Sequence, residues 1–449
     1  MRILSADYVL PITSEPIRRG SVAVELDKIV AVGARDGIAG RYPGADEEDF
    51  GLAAIIPGFV NCHSHLEITA MRGLLDDVEH DFAAWLLRLH DTRTNLLGDP
   101  DIELAAVAGA VEGAQGGVTC FGDIGRYGKA GLEALKAAGL RGVVYQETNF
   151  SPDDRTADGD IAELAEKIRS LRASETPLVK VGVSPHSPYT VSPRLFSMIA
   201  ELADREGLKV SVHAAESQDE YGLMHEGVGF FTGLYEKFGL EWTSPRCSSV
   251  EFLRRTGILK TKPLLAHCVN VSAADIELLK ENEASVAHCP KSNAKFGHGW
   301  APLEKLLDAG VDVGLGSDSV ASNNMCDMLE ESRFAALGAR NRIGTSRFIS
   351  AKEALEIATL GGAKAMGMGS EIGSLDAGKN ADIAVVSLDS AAQGPVNDIY
   401  AALIFSTRSR DVTLTMVAGR DVFRKGGNSM IDQNELGQRL EAIRQKISS

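Results

Sequence analysis

Short apolar runs alternate with amphipathic stretches through the middle of the chain. The apolar runs span residues 55–65, 117–123, 142–146, 178–186, 209–213, 263–267, 284–288 and 311–318. The stretches between them have the spacing of helices with one apolar face, as in 101–114, 161–171, 193–206 and 273–281. Eight strand–helix units over about 310 residues predict an α/β fold of the (β/α)8 TIM barrel type.

A doubly wound open sheet is the alternative for such a pattern. That fold would rely on a glycine-rich turn after an early strand, and no G-x-G-x-x-G follows one here. The barrel is therefore the favoured prediction.

The two ends of the chain have a different texture, with short β-branched runs separated by turns. These runs are residues 2–9, 20–26 and 28–33 at the start, and 382–386 and 412–417 near the end. They predict a small β-sandwich built from both ends. The expected division is a composite β-sandwich domain (1–56 and 369–425), a barrel (57–368) and a C-terminal helix (426–449), whose apolar positions are Leu436, Leu440 and Ile443.

Polar side chains fall where the apolar runs of the predicted barrel end. They include His63, His65, His186, His213, Glu216, His267, His288 and Asp318. The carboxyl ends of barrel strands form the face on which barrel enzymes build their active sites. We therefore expect these side chains to converge on one site.

A metal site is the first chemistry that this set predicts. His63 and His65 are two residues apart and project from the same face of a strand, although the pair alone is equally compatible with structural histidines. Adding His213 and Asp318 gives three nitrogens and one carboxylate, which suits a catalytic ion that also binds water. One divalent metal ion is expected, with zinc favoured and iron or manganese as alternatives.

Acid–base roles follow from the remaining positions. Asp318 is placed to accept a proton from the attacking water, and Glu216 to shuttle protons to a ring nitrogen of the substrate. His267 on the next strand is expected to orient or polarise the nucleophile. A buried structural role is favoured for His288, and His298 receives no role.

Composition narrows the partners and the location. The 449-residue chain has 46 basic and 62 acidic side chains, a net charge of −16 that disfavours nucleic acid and anionic membrane surfaces. The six cysteines include no C-x-x-C pair, as expected of a reduced compartment. No long apolar run and no signal peptide are found, so a cytoplasmic location is expected.

Ordered motifs link the chain to a known family. They are PGFVNCHSHLE (57–67), MRG (71–73), SPHSPYTVSP (184–193), VHAAES (212–217), LLAHCVNVS (264–272), HCPKSNAKFGHG (288–299), GLGSDSVASNN (314–324) and GSLDAGKNADIAVV (373–386). The chain resembles the amidohydrolase superfamily, in its subgroup of N-heterocycle deaminases and triazine hydrolases. The resemblance implies His63, His65, His213 and Asp318 as metal ligands, Glu216 and His267 as catalytic partners, and His186 as a substrate contact.

The resemblance also implies a reaction and a pocket. The expected reaction is hydrolytic release of ammonia from an amino-substituted N-heterocycle, such as aminodeoxyfutalosine, an adenosine-type nucleoside, S-adenosylhomocysteine or guanine. Arg72, Phe82 and Trp85 join His186 as candidate substrate contacts, although Phe82 and Trp85 equally suit a helix anchored on the barrel. The segment Phe296-Gly297-His298 resembles aminodeoxyfutalosine deaminases.

Two alternatives to a deaminase stay open at this point. A triazine-type hydrolase would displace chloride or an alkylamine from a heteroaromatic ring, but the presence of Glu216 favours deamination. A non-catalytic metal-binding scaffold is disfavoured, because the ligand and acid–base residues are all present. The small-molecule heterocycle is the expected partner, and relatives suggest a homodimer.

Overall fold

The computed structural model describes residues 1–240, 242–342, 347–427 and 431–448. The first five strands are β1 (Arg2–Val9), β2 (Ile17–Glu25), β3 (Lys28–Ala34), β4 (Asp46–Asp49) and β5 (Ala53–Pro57). The next eight are β6 (Phe59–Ser64), β7 (Val118–Gly125), β8 (Arg141–Glu147), β9 (Val179–Ser184), β10 (Ser211–Ala214), β11 (Leu264–His267), β12 (Ser285–His288) and β13 (Val313–Leu315). Three more follow: β14 (Ile383–Ser387), β15 (Val412–Val417) and β16 (Arg420–Arg424).

Strands β6 to β13 form a closed parallel barrel. Their order is β10-β11-β12-β13-β6-β7-β8-β9. The remaining gap is closed by a parallel bridge between Val183 and Val210 and by a hydrogen bond from Val183 N to Lys209 O at 2.9 Å. The predicted (β/α)8 barrel is confirmed, and all its strands point their carboxyl ends to one face.

The helices lie mainly between the barrel strands. They are α1 (Arg35–Arg41), α2 (Phe82–Asp91), α3 (Asp99–Gln115), α4 (Gly128–Ala137), α5 (Ala157–Arg172), α6 (Pro193–Glu206), α7 (Gln218–Tyr221), α8 (Phe230–Lys237), α9 (Ser249–Arg255), α10 (Ala273–Glu281), α11 (Pro290–Lys295), α12 (Leu303–Asp308), α13 (Val320–Asn323), α14 (Met328–Asn341), α15 (Ala351–Glu356), α16 (Gly362–Ala365), α17 (Ile399–Ala401) and α18 (Gln433–Ser448). None of the helices in the described ranges is long and apolar enough to cross a membrane. The cytoplasmic location stays a prediction.

The two ends of the chain meet in a second, mixed sheet. Its order is β16-β15-β14-β5-β1-β2-β3, with β4 added to β1. Strand β14 pairs antiparallel with β5, which joins the late strands to the early ones. This sheet confirms the second domain built from both ends, while the boundaries at residues 56, 369 and 426 stay predictions.

The sequence pattern shows residues 55–65 as one apolar run, but in the structure this run forms two strands. It divides at Gly58, so that β5 belongs to the mixed sheet and β6 opens the barrel. A Cβ atom at Gly58 would lie 2.1 Å from the Thr119 side chain, so the point where the chain passes from β5 to β6 requires glycine. Gly58 N donates to Asp382 O at 3.0 Å, which ties the crossing point to the mixed sheet.

Strand β4 had no hydrophobic signal, because all four of its residues are acidic. It forms because arginines compensate its charges: Arg35 pairs with Glu47 at 2.7 Å, and Arg424 contacts Glu48. The C-terminal helix α18 follows its predicted apolar positions more closely. Leu436 and Ile443 are buried, and Lys446 Nζ lies 2.6 Å from Asp101 of α3.

Candidate active site

Four of the predicted ligands converge at the carboxyl end of the barrel. His63 lies on β6 with His65 just after it, His213 on β10, and Asp318 after β13. Asp318 Oδ1 is 3.4 Å from His63 Nε2 and 3.5 Å from His65 Nε2. The Nε2 atoms of His65 and His213 are 3.2 Å apart. The structure therefore brings three imidazoles and one carboxylate around a common point.

Hydrogen bonds fix the tautomers of two of these histidines. His65 Nδ1 lies 3.0 Å from Ile124 O, and His213 Nδ1 lies 3.0 Å from His186 O. A carbonyl oxygen only accepts, so both Nδ1 atoms carry the proton and both Nε2 atoms keep a lone pair. Two lone pairs facing each other at 3.2 Å repel unless a cation lies between them.

His63 supplies the clearest test of a metal site. Its side chain is fully buried, and neither ring nitrogen has a hydrogen-bond partner among the described residues. Burial lowers the pKa of His63 to about 4, so the imidazole is neutral and offers a lone pair. Buried polar atoms are rarely left unbonded. The donor set fits a divalent cation held by three nitrogens and one oxygen.

Asp318 is held in place from the side away from the histidines. Its Oδ2 accepts hydrogen bonds from Ser292 Oγ at 2.6 Å and Ser322 Oγ at 2.9 Å, and its Oδ1 accepts one from Ser319 N at 2.7 Å. Burial alone would raise the pKa of Asp318, but the neighbouring imidazoles, His63 first, hold it well below its usual range. The group is an anion with one oxygen facing the ligand cluster.

Glu216 is a buried carboxyl beside this cluster. Its Oε1 lies 3.6 Å from His267 Nε2 and 3.7 Å from His298 Nε2, and its Oε2 lies 3.5 Å from the Tyr189 hydroxyl. Burial raises the pKa of Glu216 to about 7. A carboxyl that titrates near neutral pH can both give and take a proton at a reaction centre.

The backbone that carries Glu216 is clamped by a second buried acid. The Glu220 carboxylate accepts hydrogen bonds from Ala215 N and Glu216 N, both at 2.8 Å. Ala215 adopts a left-handed φ of 54°, which an alanine adopts only under constraint. Glu220 supplies that constraint from the first turn of the following helix.

His267 is oriented by a residue from the next unit of the barrel. Its Nδ1 lies 2.9 Å from Asn293 Oδ1, which leaves Nε2 facing Glu216. Burial lowers the pKa of His267, but Glu216 and Asp318 outweigh it, and the net shift is upward. The imidazole of His267 is therefore favoured in its protonated form by two neighbouring carboxyl groups, Glu216 first.

A cavity opens above these groups toward solvent. Its floor is formed by His65, His213, Glu216, His267 and Asp318, with Phe82, Trp85 and Phe296 on one side. One face, here called the polar wall, consists of Arg93, Arg126, Glu147, Thr148, Asn149 and His186. The outer edge, here called the apolar mouth, consists of Leu87, Phe150, Phe230, Phe231, Leu234 and Phe238.

Comparison with known proteins assigns the family. The amidohydrolase family model matches residues 54–422. The chain belongs to the amidohydrolase family. A 5-methylthioadenosine/S-adenosylhomocysteine deaminase from Pelotomaculum thermopropionicum is 32% identical over 421 residues, covering 93% of this chain and 92% of the relative. A 5'-deoxyadenosine deaminase from Methanosarcina acetivorans is 31% identical over 421 residues, covering 93% and 91%.

Solved structures share the fold of this amidohydrolase over nearly its whole length. An adenosine deaminase from Xanthomonas campestris with bound zinc is 27% identical, with a TM-score of 0.89 and coverage of 100% and 98%. An atrazine chlorohydrolase from Arthrobacter aurescens complexed with zinc is 23% identical (TM-score 0.84, coverage 99% and 100%). An aminofutalosine deaminase from Helicobacter pylori is 22% identical (TM-score 0.79, coverage 94% and 100%).

Among the candidate substrate contacts, the amidohydrolase structure separates Arg72 from the others. Phe82, Trp85 and His186 line the cavity. Arg72 does not: its guanidinium is bound by Glu112 at 3.1 Å and contacts the Asn324 carbonyl. The expectation that Arg72 contacts substrate is therefore corrected. The loop after β6 turns this side chain outward, where an acid on α3 neutralises it.

Several groups around the cavity of this amidohydrolase had no individual sequence signal. Glu147 lies at the end of β8, and the residues predicted for the site include none from the ends of β7 and β8, although the position of Glu147 at a barrel strand end could have revealed it. Asn293 and Glu220 act on the site through contacts that only the folded chain defines. His288 is buried on β12 outside the cavity lining, and burial lowers its pKa to about 3.

Proposed function

We propose that this amidohydrolase is a metal-dependent aminohydrolase, which replaces the amino group of a purine-type nucleoside or base with oxygen and releases ammonia. The observation that carries the proposal is the position of Glu216, a buried carboxyl between the ligand cluster and the cavity. A cation site alone suits many hydrolyses. A proton donor that titrates near pH 7 beside it suits protonation of a ring nitrogen.

The ion would be held by His63, His65, His213 and Asp318. A divalent ion bound there lowers the pKa of a water molecule toward neutrality, from about 15.7 toward about 7. Zinc is the ion we propose, because nitrogen-rich sites with one carboxylate suit it and because the Xanthomonas deaminase contains it.

Two carboxyl groups divide the proton transfers. Asp318, ionised and facing the cluster, accepts a proton from the attacking water. Glu216, in its protonated form, donates to the ring nitrogen next to the amino-bearing carbon, so that the carbon becomes electrophilic. The proton taken by Asp318 then leaves with the amino group as ammonia, and the hydroxyl proton of the intermediate returns to Glu216 as the carbonyl forms. Water and amine are consumed, and a carbonyl and ammonia are formed, so no redox partner is needed.

The cavity supports a nucleoside-type substrate over a free base. Glu147 is 5% exposed, and among the described residues its carboxylate forms one ion-pair contact, with His186 Nε2 at 3.8 Å. Burial raises the pKa of Glu147, but His186 and Arg93 outweigh it, and the group is ionised. A buried anion that accepts no hydrogen bond from the described residues suits sugar hydroxyls, which would donate to it.

The apolar mouth then suits an apolar substituent beyond the sugar. Phe150 and Phe238 meet there with ring centroids 5.9 Å apart, and Phe238 is 59% exposed. We therefore favour 5'-methylthioadenosine-type and 5'-deoxyadenosine-type nucleosides, which matches the names of the two curated relatives.

An ammonia-release assay on the zinc-loaded protein tests the proposal. The panel contains 5'-methylthioadenosine, 5'-deoxyadenosine, adenosine, adenosine monophosphate, S-adenosylhomocysteine, aminodeoxyfutalosine, adenine and guanine. We expect 5'-methylthioadenosine and 5'-deoxyadenosine to have the highest kcat/KM and the monophosphate the lowest, because its phosphate would have to lie against the apolar mouth. Ammonia from none of these compounds would overturn the proposal. Chloride release from a chlorotriazine would then support the triazine hydrolase alternative.

A further inference from the structure

His298 is a buried histidine beside the site that the proposed reaction has not used. Its side chain is 6% exposed, and its Nε2 has no hydrogen-bond partner among the described residues. Glu216 Oε1 lies 3.7 Å from this nitrogen. An unbonded buried nitrogen aimed at a catalytic carboxyl requires an explanation.

The chain bends sharply to place this histidine. Gly297 and Gly299 flank it with φ values of 67° and 105°, a region that favours glycine. His298 N donates to Asn293 O at 2.9 Å, while Asn293 Oδ1 lies 2.9 Å from His267 Nδ1. One residue at the end of α11 therefore fixes both histidines that face Glu216 Oε1.

An aromatic box keeps the imidazole from rotating away. His298 stacks on Phe296 with ring centroids 5.2 Å apart and an interplanar angle of 29°. It meets Phe82 edge to face at 4.8 Å. The ring plane is thus set by packing, and a shift of about 0.7 Å would bring Nε2 to hydrogen-bond distance of Oε1.

We propose that His298 is a positioning residue whose Nε2–H holds Glu216 Oε1, so that Oε2 faces the substrate ring. This inference rests on the proposed role of Glu216. Burial lowers the pKa of His298 to about 4, so the ring is neutral and carries a single N–H. A carboxylate next to Nε2 favours the tautomer with the proton on that atom. Catalytic hydrogen bonds are often long until substrate binds, which explains the 3.7 Å separation.

Two substitutions of matched size test the contact. His298→Phe fits the aromatic box and removes both nitrogens, whereas His298→Gln keeps an N–H donor. We expect His298→Phe to lower kcat by about tenfold to hundredfold with KM within threefold, since orientation and not binding is lost. His298→Gln should recover most of that loss. The exposed His80→Phe variant is the control and should match wild type.

A merely structural role for His298 would give a different result. It would lower the melting temperature of both variants and leave kcat per folded molecule unchanged, and that outcome overturns the proposal. Equal losses of kcat in His298→Phe and His298→Gln would also overturn it, because the donor would then be irrelevant.

A crystal structure of the zinc-loaded protein supplies a readout that does not depend on activity. We expect Nε2 of His298 within 3.2 Å of Glu216 Oε1 at neutral pH. A distance above 4 Å, or an imidazole turned out of the box, contradicts the proposal. If the wild type releases no ammonia from any nucleoside, the proposed function fails, while this distance still decides whether His298 holds Glu216.

Discussion

Strand β8 has a buried charged side chain at each end. The charge at its start is paired by hydrogen bonds, whereas the charge at its end is not. At the start, Arg141 donates to Asp382 from Nε at 2.8 Å and from Nη2 at 3.1 Å. Asp382 also accepts from Ala418 N at 2.8 Å. At the end, the Glu147 carboxylate faces the cavity with His186 Nε2 at 3.8 Å as its closest titratable partner.

The same contrast separates the two faces of the barrel. The Arg141–Asp382 pair joins the barrel to the mixed sheet and leaves no charge unpaired. On the carboxyl face, His63 and His298 keep buried nitrogens without partners in the described part of the chain. Fully bonded buried charges connect structural layers, whereas unbonded ones are kept for a ligand, a metal or a proton.

Removing a proposed metal ligand should have the largest effect on the carboxyl face of the barrel. His63→Ala takes away one of three nitrogens and should lose bound metal and lower kcat/KM by at least about 10⁴-fold. Metal content by mass spectrometry and ammonia release measure the two effects. The exposed His80→Ala is the matched control, and a His63→Ala variant with one equivalent of metal and normal turnover would refute the ligand set.

Breaking the Arg141–Asp382 pair at the start of β8 should lower the stability of the fold and leave the rate of ammonia release per folded molecule unchanged. Arg141→Met leaves Asp382 buried and unpaired, which should lower the free energy of unfolding by about 3–5 kcal/mol. The double variant Arg141→Met with Asp382→Leu should recover most of that loss. Urea denaturation measures both. A double variant no more stable than the single one would show that the pair does not act as described.

The pH dependence should report the acid beside the metal site. The raised pKa of Glu216, about 7, means that the protonated donor is present below that pH and lost above it. We expect kcat/KM to fall about tenfold per pH unit above pH 7. The charged and titratable groups that face Glu216 are His267, His298, Asp318, Glu220 and Tyr189. A rate that stays flat from pH 6 to pH 9 would argue against Glu216 as the acid.

The smallest effect should come from removing the charge of Glu147 at the end of β8. Glu147→Gln removes a buried charge that accepts no hydrogen bond from the described residues, so the free energy of unfolding should be unchanged or higher by about 1 kcal/mol. The KM for nucleosides should rise about tenfold while that for free adenine stays constant. Equal changes in KM for the nucleoside and the free base would show that Glu147 does not bind the sugar hydroxyls.

The sequence predicted the parts of this site that depend on strand order. His63, His213 and Asp318 could be placed together because each ends a barrel strand, and parallel strands end on one face. It could not predict contacts made by loops. Arg72 pairs with Glu112 of α3, and this choice of partner depends on how the loop after β6 folds.

The same limit applies to groups that act through others. Asn293 orients His267 across 26 residues of sequence, and Glu220 clamps the backbone of Glu216. Strand β4 escaped prediction for a related reason, since its four acidic residues pair with β1 and Glu48 contacts Arg424, far away in the sequence. Side-chain pairing over long sequence separations has no local pattern.

The most direct test of the account compares wild type with Glu216→Gln in two measurements on the same preparation. We predict that the variant binds the same amount of metal as wild type but releases ammonia from 5'-methylthioadenosine at least about 10³-fold more slowly. A Glu216→Gln variant that keeps both its metal and wild-type ammonia release would contradict the central claim.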